Sequence, residues 1–407
     1  MVPNGWLKTD LNDFIDIKHG FAFKSEYFRE EGKYVLLTPG SFYEPGGFRD
    51  QKSKTKYYEG DIPEGYLLSK DDLLVAMTEQ AAGLLGSTLF VPSSDRYLHN
   101  QRLGLIKVKD KNGICPEFIY LTYNASYVRK QIAEQSTGTK VKHTSPDKLK
   151  SVICLLPPLP EQQKIAKILS TWDKAITTTE RLIATSQQQK KSLMQQLLTG
   201  KKRFVNPETG MVFEGDWEEV KLSLLATITM GSSPKSEAYN EIGEGLPLLQ
   251  GNADIKSRRS APRIYTSQIT KECSIGDILL SVRAPVGSVA KSDHKACIGR
   301  GIASIKAKKS NSQEYLYQWL LAFEPKWERF SQGSTFEAVN SNDIKTLHIL
   351  APNLIEQQKI ASVLTAADKE IELLEVKLAH LKEEKKALMQ QLLTGKRRVK
   401  VDTTEAA

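Results

Sequence analysis

Four cysteines in 407 residues, Cys115, Cys154, Cys273 and Cys297, stand too far apart to form any C-x-x-C pair. That spacing argues against a disulfide framework or a structural zinc site and fits a reducing cytoplasm. No apolar run nears the eighteen or so residues that cross a bilayer, so no membrane partner is expected. The opening residues, Met1 to Trp6, show no basic stretch leading into an apolar one, and secretion is not expected. There is no G-x-x-x-x-G-K-[ST] loop for ATP. Gly299-Arg300-Gly301 starts like a dinucleotide turn, but Ser304 stands where the third glycine belongs, and a plain tight turn explains it better. The histidines (His19, His99, His143, His294, His348, His380) lack metal-ligand spacing, and His348, in an apolar strand-like run, reads as a core residue. No catalytic centre, metal or cofactor is therefore expected on this chain.

What the chain does have is length for two or three domains and an excess of Lys+Arg (57) over Asp+Glu (48). That balance suits a polyanionic partner. It also repeats itself. L-P-E-Q-Q-K-I-A-K-I-L from Leu159 returns as L-I-E-Q-Q-K-I-A-S-V-L from Leu354. K-K-S-L-M-Q-Q-L-L-T-G-K from Lys190 returns as K-K-A-L-M-Q-Q-L-L-T-G-K from Lys385. Glu161 thus meets Glu356, and Lys190 meets Lys385, at the same offset of 195. The preceding segments match weakly, with Trp6, Leu11, Ile17, Gly20 and Lys24 facing Trp217, Leu222, Ile228, Gly231 and Lys235 at an offset of 211. One unit has been duplicated, with a divergent front and a fixed back.

The fixed blocks predict long helices. Pro158 and Pro160 suit a helix start, Glu161 favours the positive end of the macrodipole, and Gly200 and Gly395 suit the stops. Lys201-Lys202-Arg203 and Lys396-Arg397-Arg398 then fall beside the negative ends. Steps of four and three place Ile165, Leu169, Trp172, Ile176, Thr179, Ile183, Ser186, Lys190, Leu193 and Leu197 on one stripe. The second copy places Ile360, Leu364, Ala367, Ile371, Leu374, Leu378, Leu381, Lys385, Leu388 and Leu392 there. A 3.5-residue period marks a coiled-coil seam about 60 Å long, rather than two unrelated amphipathic helices. Antiparallel pairing is favoured over parallel because duplicated units tend to a two-fold relation. Full overlap sets Ile165 near Leu392, Lys190 near Ala367, and Lys385 over the Trp172 indole.

The divergent fronts show short apolar runs bounded by Gly, Pro, Ser or Asn, with helical stretches near 116–135 and 313–330, so the fold class is α+β. Their loops cluster basic, amide and hydroxyl groups: Lys24 and Ser25; Lys52, Lys54, Lys56 and Tyr57; Asn100, Gln101 and Arg102; Lys140 and Lys142. The second front offers Lys235 and Ser236; Gln250 and Asn252; Lys256, Arg258 and Arg259; Arg283; and Arg300. Arg and Lys suit guanine edges or phosphates, and Asn and Gln suit adenine. For any one of them a solvated loop is the simpler reading; clustering in both copies favours the loops as DNA contacts.

A duplicated P-x-L-x-E-Q-Q-K-I-A helix ending in L-L-T-G-K-[KR]-R, each copy behind a divergent domain, resembles the specificity subunit of type I restriction–modification enzymes. Gly20 to Ser25, Gly231 to Ser236, and Val282-Arg283-Ala284-Pro285-Val286-Gly287 add to it; the first front reads Ala76-Met77-Thr78-Glu79 at that last place. The resemblance implies two α/β target recognition domains, 1–156 and 205–350, each gripping one half of an asymmetric double-stranded DNA site. It implies helices at 157–204 and 351–400, pseudo-two-fold related, that set the spacer; 401–407 is expected to be a disordered tail. Two methyltransferase subunits carrying S-adenosylmethionine would dock there, and two ATP- and Mg-dependent motor–nuclease subunits join in restriction. The alternatives are a self-contained DNA methyltransferase, for which an N-P-P-[YF] motif is missing, and a coiled-coil scaffold that binds only proteins.

Overall fold

Leu103–Val108 and Ile302–Ala307 are near-continuous apolar runs rather than alternations, and both become interior strands with four successive buried residues. The computed structural model describes residues 2–79, 83–206, 208–331 and 338–401, without the side chains of 328–331. The chain divides into two compact units, residues 1–178 with 378–407, and residues 179–377. Both units mix helix and sheet.

In the first unit a four-stranded antiparallel sheet runs in the order Ile15–His19, Leu103–Val108, Leu73–Ala76, Thr88–Phe90. A second sheet runs Phe28–Arg29, Tyr57–Tyr58, Tyr34–Leu36, Tyr97–Leu98, its last pair parallel. Leu7–Thr9 pairs with Cys154–Leu156 and brings the front of the chain to the head of the long helix. Helices Pro116–Asn124 and Ser126–Gln135, parted at Ala125, cover the main sheet.

The second unit repeats this plan: Ala226–Met230, Ile302–Ala307, Ile278–Ser281 and Val289–Lys291 follow in the same order, all antiparallel. Tyr239–Asn240, Ile264–Thr266, Leu246–Leu249 and Ala296–Ile298 form its second sheet, again with a parallel last pair. Glu218–Lys221 pairs with His348–Ala351. Two additions distinguish it: a hairpin of Ile255–Lys256 and Arg259–Ser260 on the main sheet, and Glu272–Cys273 on the second. One continuous helix, Gln313–Ser331, stands where the first unit has two. His348, expected in the core, is exposed instead: it faces outward on a two-stranded ribbon, 4.0 Å from Glu219 Oε1.

The long helices run Leu159–Leu197 and Leu354–Leu393, a few residues inside the blocks 157–204 and 351–400. Each is shared between units, so the packing joins half-helices to front domains instead of setting the helices apart as modules. Residues 402–407 of the expected tail lie outside the described residues. Beyond Leu197 and Leu393, Gly200 and Gly395 adopt φ of 71° and 66°, and Lys202 N and Arg397 N turn back to Gln196 O and Gln391 O. This left-handed close satisfies the last carbonyls.

Along both helices the stripe positions from Ile165 to Leu197 and from Ile360 to Leu392 are buried or half-buried. Ile165, Leu169 and Leu392 join the first unit's core; Leu197, Ile360 and Leu364 join the second's. Each such side chain, removed from water, contributes roughly 2 kcal/mol. The polar stripe members set the direction. In the first unit Lys385 Nζ donates to Asp173 Oδ1 at 2.6 Å; in the second Lys190 Nζ donates to Asp368 Oδ1 at 2.5 Å. Numbers rise along one half-helix as they fall along its neighbour, so the halves within each unit are antiparallel. Lys385 meets the carboxylate beside Trp172 rather than the indole, and Lys190 meets Asp368 rather than the space over Ala367.

Candidate nucleic-acid interface

The repeated E-Q-Q triplet seats each front domain. Glu161 and Glu356 are 4% and 0% exposed, and a carboxylate that deep needs partners for its oxygens. Arg398 supplies a fork to Glu161, with Nε and Nη2 each at 2.7 Å, while Trp6 Nε1 donates from 3.0 Å. Arg203 supplies the same fork to Glu356 at 3.0 and 2.7 Å, with Trp217 Nε1 at 3.3 Å. The basic ends expected beside the helix C-termini thus commit one arginine each to the other helix's first turn. Gln162 and Gln357 finish the joint. Their amides donate to Pro157 O and Pro352 O, and their Oε1 atoms accept from Cys115 N and Ser312 N. Sequence reasoning missed these roles because the partners lie as far as 237 positions away.

The loop ends share a frame too. In the first unit Gly20 N donates to Leu103 O, Phe21 N to His99 O, Leu103 N to Asn100 O and Met77 N to Arg102 O. In the second, Gly231 N donates to Ile302 O, Ser232 N to Ile298 O, Ile302 N to Gly299 O and Val282 N to Gly301 O. A Cβ on Gly20 would lie 1.9 Å from Asn100 O, and one on Gly231 2.1 Å from Gly299 O. Glycine is required at both. The frame therefore equates Gln101 with Arg300, Arg102 with Gly301, Thr78 with Arg283, and buried His99 with Ile298.

The structure brings several predicted residues together at this frame. Asn100 Oδ1 accepts from Arg102 N at 2.9 Å within the turn, while Gln101 and Arg102 are exposed. Arg300 is exposed, its N–H held by Ser233 Oγ at 3.1 Å. Arg283 is exposed on a turn whose carbonyls accept from Ser281 Oγ. Among the described residues the Arg102, Arg283 and Arg300 guanidinium groups hold no ion pair. Lys24 and Lys235, followed by Ser25 and Ser236, precede short helical turns and are exposed; Lys24 lies 3.7 Å from Glu26.

Others are spoken for. Gln250 gives its amide to Tyr239 OH at 2.8 Å, and Asn252 is half-buried in the turn below. Arg258, at the left-handed hairpin tip with Ser257, reaches Val289 O at 3.1 Å and pairs with Glu324; Arg259 pairs with Asp293 at 2.8 Å. Their charge is answered within the unit, and Lys256 stands exposed beside them. Lys52, with φ of 50°, and Lys54 form an exposed turn; Lys56 lies 5.5 Å over Phe28, and Tyr57 is a strand residue. Lys142 pairs in a ribbon with Glu79, and Lys140 is exposed just before it.

Burial pushes the Cys115 thiol up to about 11 and the Cys154 thiol up to about 12, so both stay neutral and unreactive. Burial pushes His99 down to about 4; its Nε2–H donates to Leu103 O at 2.9 Å and Nδ1 is buried without a partner. Among the described residues no three His, Cys, Asp or Glu side chains gather to hold a metal, and no helix is long and apolar enough to cross a membrane. The arrangement offers cations, an amide and hydroxyls on exposed turns.

A family model described as the type I restriction modification DNA specificity domain matches residues 3–185 and 214–383. The chain belongs to this family. Each of the two specificity-domain copies spans one front domain and most of the long helix that follows it. The putative type I restriction enzyme MjaX specificity subunit of Methanocaldococcus jannaschii is 38% identical, across 98% of this chain and 95% of the relative. The EcoBI specificity subunit of Escherichia coli is 26% identical over 88% of this chain and 78% of its own length. Among solved structures, the type I S subunit from M. genitalium superposes with a TM-score of 0.65 at 15% identity, covering 97% of this chain and 98% of that one. A chain from a type I restriction–modification assembly superposes at 0.59 with 24% identity and the same coverage. These last two share the specificity-subunit fold.

Proposed function

We propose that this specificity subunit reads a two-part, asymmetric double-stranded DNA target, one half by each unit, and leaves the chemistry to partner subunits. The observation that carries this reading is the duplication: two units with one strand order and one loop frame display different side chains at equivalent points. A protein built to bind the same thing twice would have kept them alike. The antiparallel half-helices, stiffened by one Lys–Asp pair in each unit, support a coiled-coil strut with approximate two-fold symmetry that fixes the unread spacer. The helices are also the surface offered to two methyltransferase subunits, which bring S-adenosylmethionine for adenine methylation. ATP- and Mg-dependent restriction subunits join that complex to cut unmodified DNA.

Adenine-methylation profiling of cells making this chain with its methyltransferase tests the reading. A single split, non-palindromic motif is expected. A palindromic or contiguous motif, or no oligonucleotide binding even at low salt, where counterion release favours it most, overturns it.

A further inference from the structure

Phosphates are the same in both halves of an asymmetric site, whereas base edges differ. Chemistry that the two units share should therefore face the backbone, and chemistry that differs at equivalent positions should face the bases. The loop frame sorts its side chains on this criterion. Lys24-Ser25-Glu26 and Lys235-Ser236-Glu237 are the same triplet, at the same place after the glycine, each opening a short helical turn with its lysine exposed. At the tip four backbone hydrogen bonds recur in both units, while Gln101 N–H goes to Phe21 O and Arg300 N–H to Ser233 Oγ; the residues are Gln101-Arg102 in one unit and Arg300-Gly301 in the other. The neighbouring strand end carries Thr78 in the first and Arg283 in the second.

We propose that the tip turns are the base readers, with Gln101 and Arg102 serving the first half-site and Arg300, aided by Arg283, the second, while Lys24 and Lys235 hold phosphates. This assignment rests on the DNA-reading function proposed above. The Gln101 amide fork fits adenine, and the Arg102 and Arg300 guanidinium forks fit guanine. The turns are suited to the task because they are fixed before binding. Gly20 and Gly231 lock one side, and Ser233 Oγ holds the Arg300 N–H. Gly301 has no room for a side chain, since a Cβ there would lie 2.2 Å from Gln250 O. The second tip thus presents one reader where the first presents two. Arg258 and Arg259 drop out as readers because Glu324 and Asp293 already hold them.

The test is selection from randomised duplexes by the full chain, for the wild type and four variants, with melting temperature as the folding control. If the wild type selects no split motif, the DNA-reading function itself fails, and this assignment is not what has been refuted. Given a motif, Arg300→Ala and Arg300→Lys should each relax preference in one half alone, by about 5- to 150-fold at the contacted position. Lysine keeps the charge but not the fork. The double change Gln101→Arg, Arg102→Gly should alter the other half alone. Lys24→Ala with Lys235→Ala should leave the motif intact, weaken cognate and scrambled duplexes alike, and lower the salt slope by about 0.9 per lysine. An unchanged motif in both Arg300 variants, or a changed motif in the lysine variant, overturns the assignment.

Discussion

The two units are built to one plan and agree most closely in their buried polar joints. Both hang a tryptophan N–H and an arginine fork on a buried glutamate. Both pack a glycine against the backbone of a tip turn. They part where side chains leave that frame: His99 against Ile298, Thr78 against Arg283, Gln101 against Arg300. The second unit also adds a hairpin whose arginines are neutralised at home. The contrast teaches that the seat and the frame are fixed by buried polar geometry, which tolerates little, while the exposed tips vary at small cost to folding.

The seats offer the largest test of that comparison. Glu356→Ala strands Arg203 and Trp217 Nε1, and breaking such a buried pair costs about 3–5 kcal/mol. Glu161→Ala should cost less, because the Arg398 side chain is 42% exposed against 21% for Arg203. Hydrogen exchange should show each loss confined to its own unit; equal deprotection of both units by either variant would break the claim of independent seats.

Acid should divide the units next. His99 titrates near 6.5 when unfolded and near 4 when buried, so the unfolded chain binds the extra proton first. The neutral histidine's full contribution to stability is present above pH 6.5 and is lost as pH falls toward 4, a change of about 3 kcal/mol. Ile298 occupies the same place in the second unit and does not titrate. His99→Ile should flatten the loss in the first unit across pH 6.5 to 4, followed by urea denaturation at each pH. A loss centred in the second unit would contradict the structural equivalence.

The smallest effect belongs to the helix ion pairs, whose aspartates are about 40% exposed. Lys385→Met should cost about 1 kcal/mol or less. Lys190→Met should cost no more, since Asp368 keeps the Gln318 amide at 2.7 Å. Paired chemical denaturation curves would separate the two.

Much of this was legible in the residues. The E-Q-Q-K-I-A and L-L-T-G-K repeats fixed both helices, the glycine stops and the duplication, because local periodicity and capping act over a few positions. A stripe says which face is covered, not that Lys385 prefers the Asp173 carboxylate to the adjoining indole. Glu161 read as a helix-dipole residue since its partners, Trp6 and Arg398, lie 155 and 237 positions off. The equivalence of Gln101 and Arg300 was hidden because loops of different length shift the offset from 211 at Gly20 to 199 at the tip. Arg258 and Arg259 looked like free cations because Glu324 comes from a helix 66 positions off and Asp293 from a bend 34 positions off.

The repeated ends have a genetic corollary. A deletion that joined the first L-M-Q-Q-L-L-T-G-K to the second would leave a half-length product with one front domain and one helix, bearing a glutamate at its head, an arginine just past its foot, and both Asp173 and Lys190 between. Head and foot of one helix stand roughly 60 Å apart, so no such molecule satisfies itself. Two of them laid head to foot would satisfy every fork and ion pair at once, and would address an inverted-repeat sequence in place of an asymmetric one.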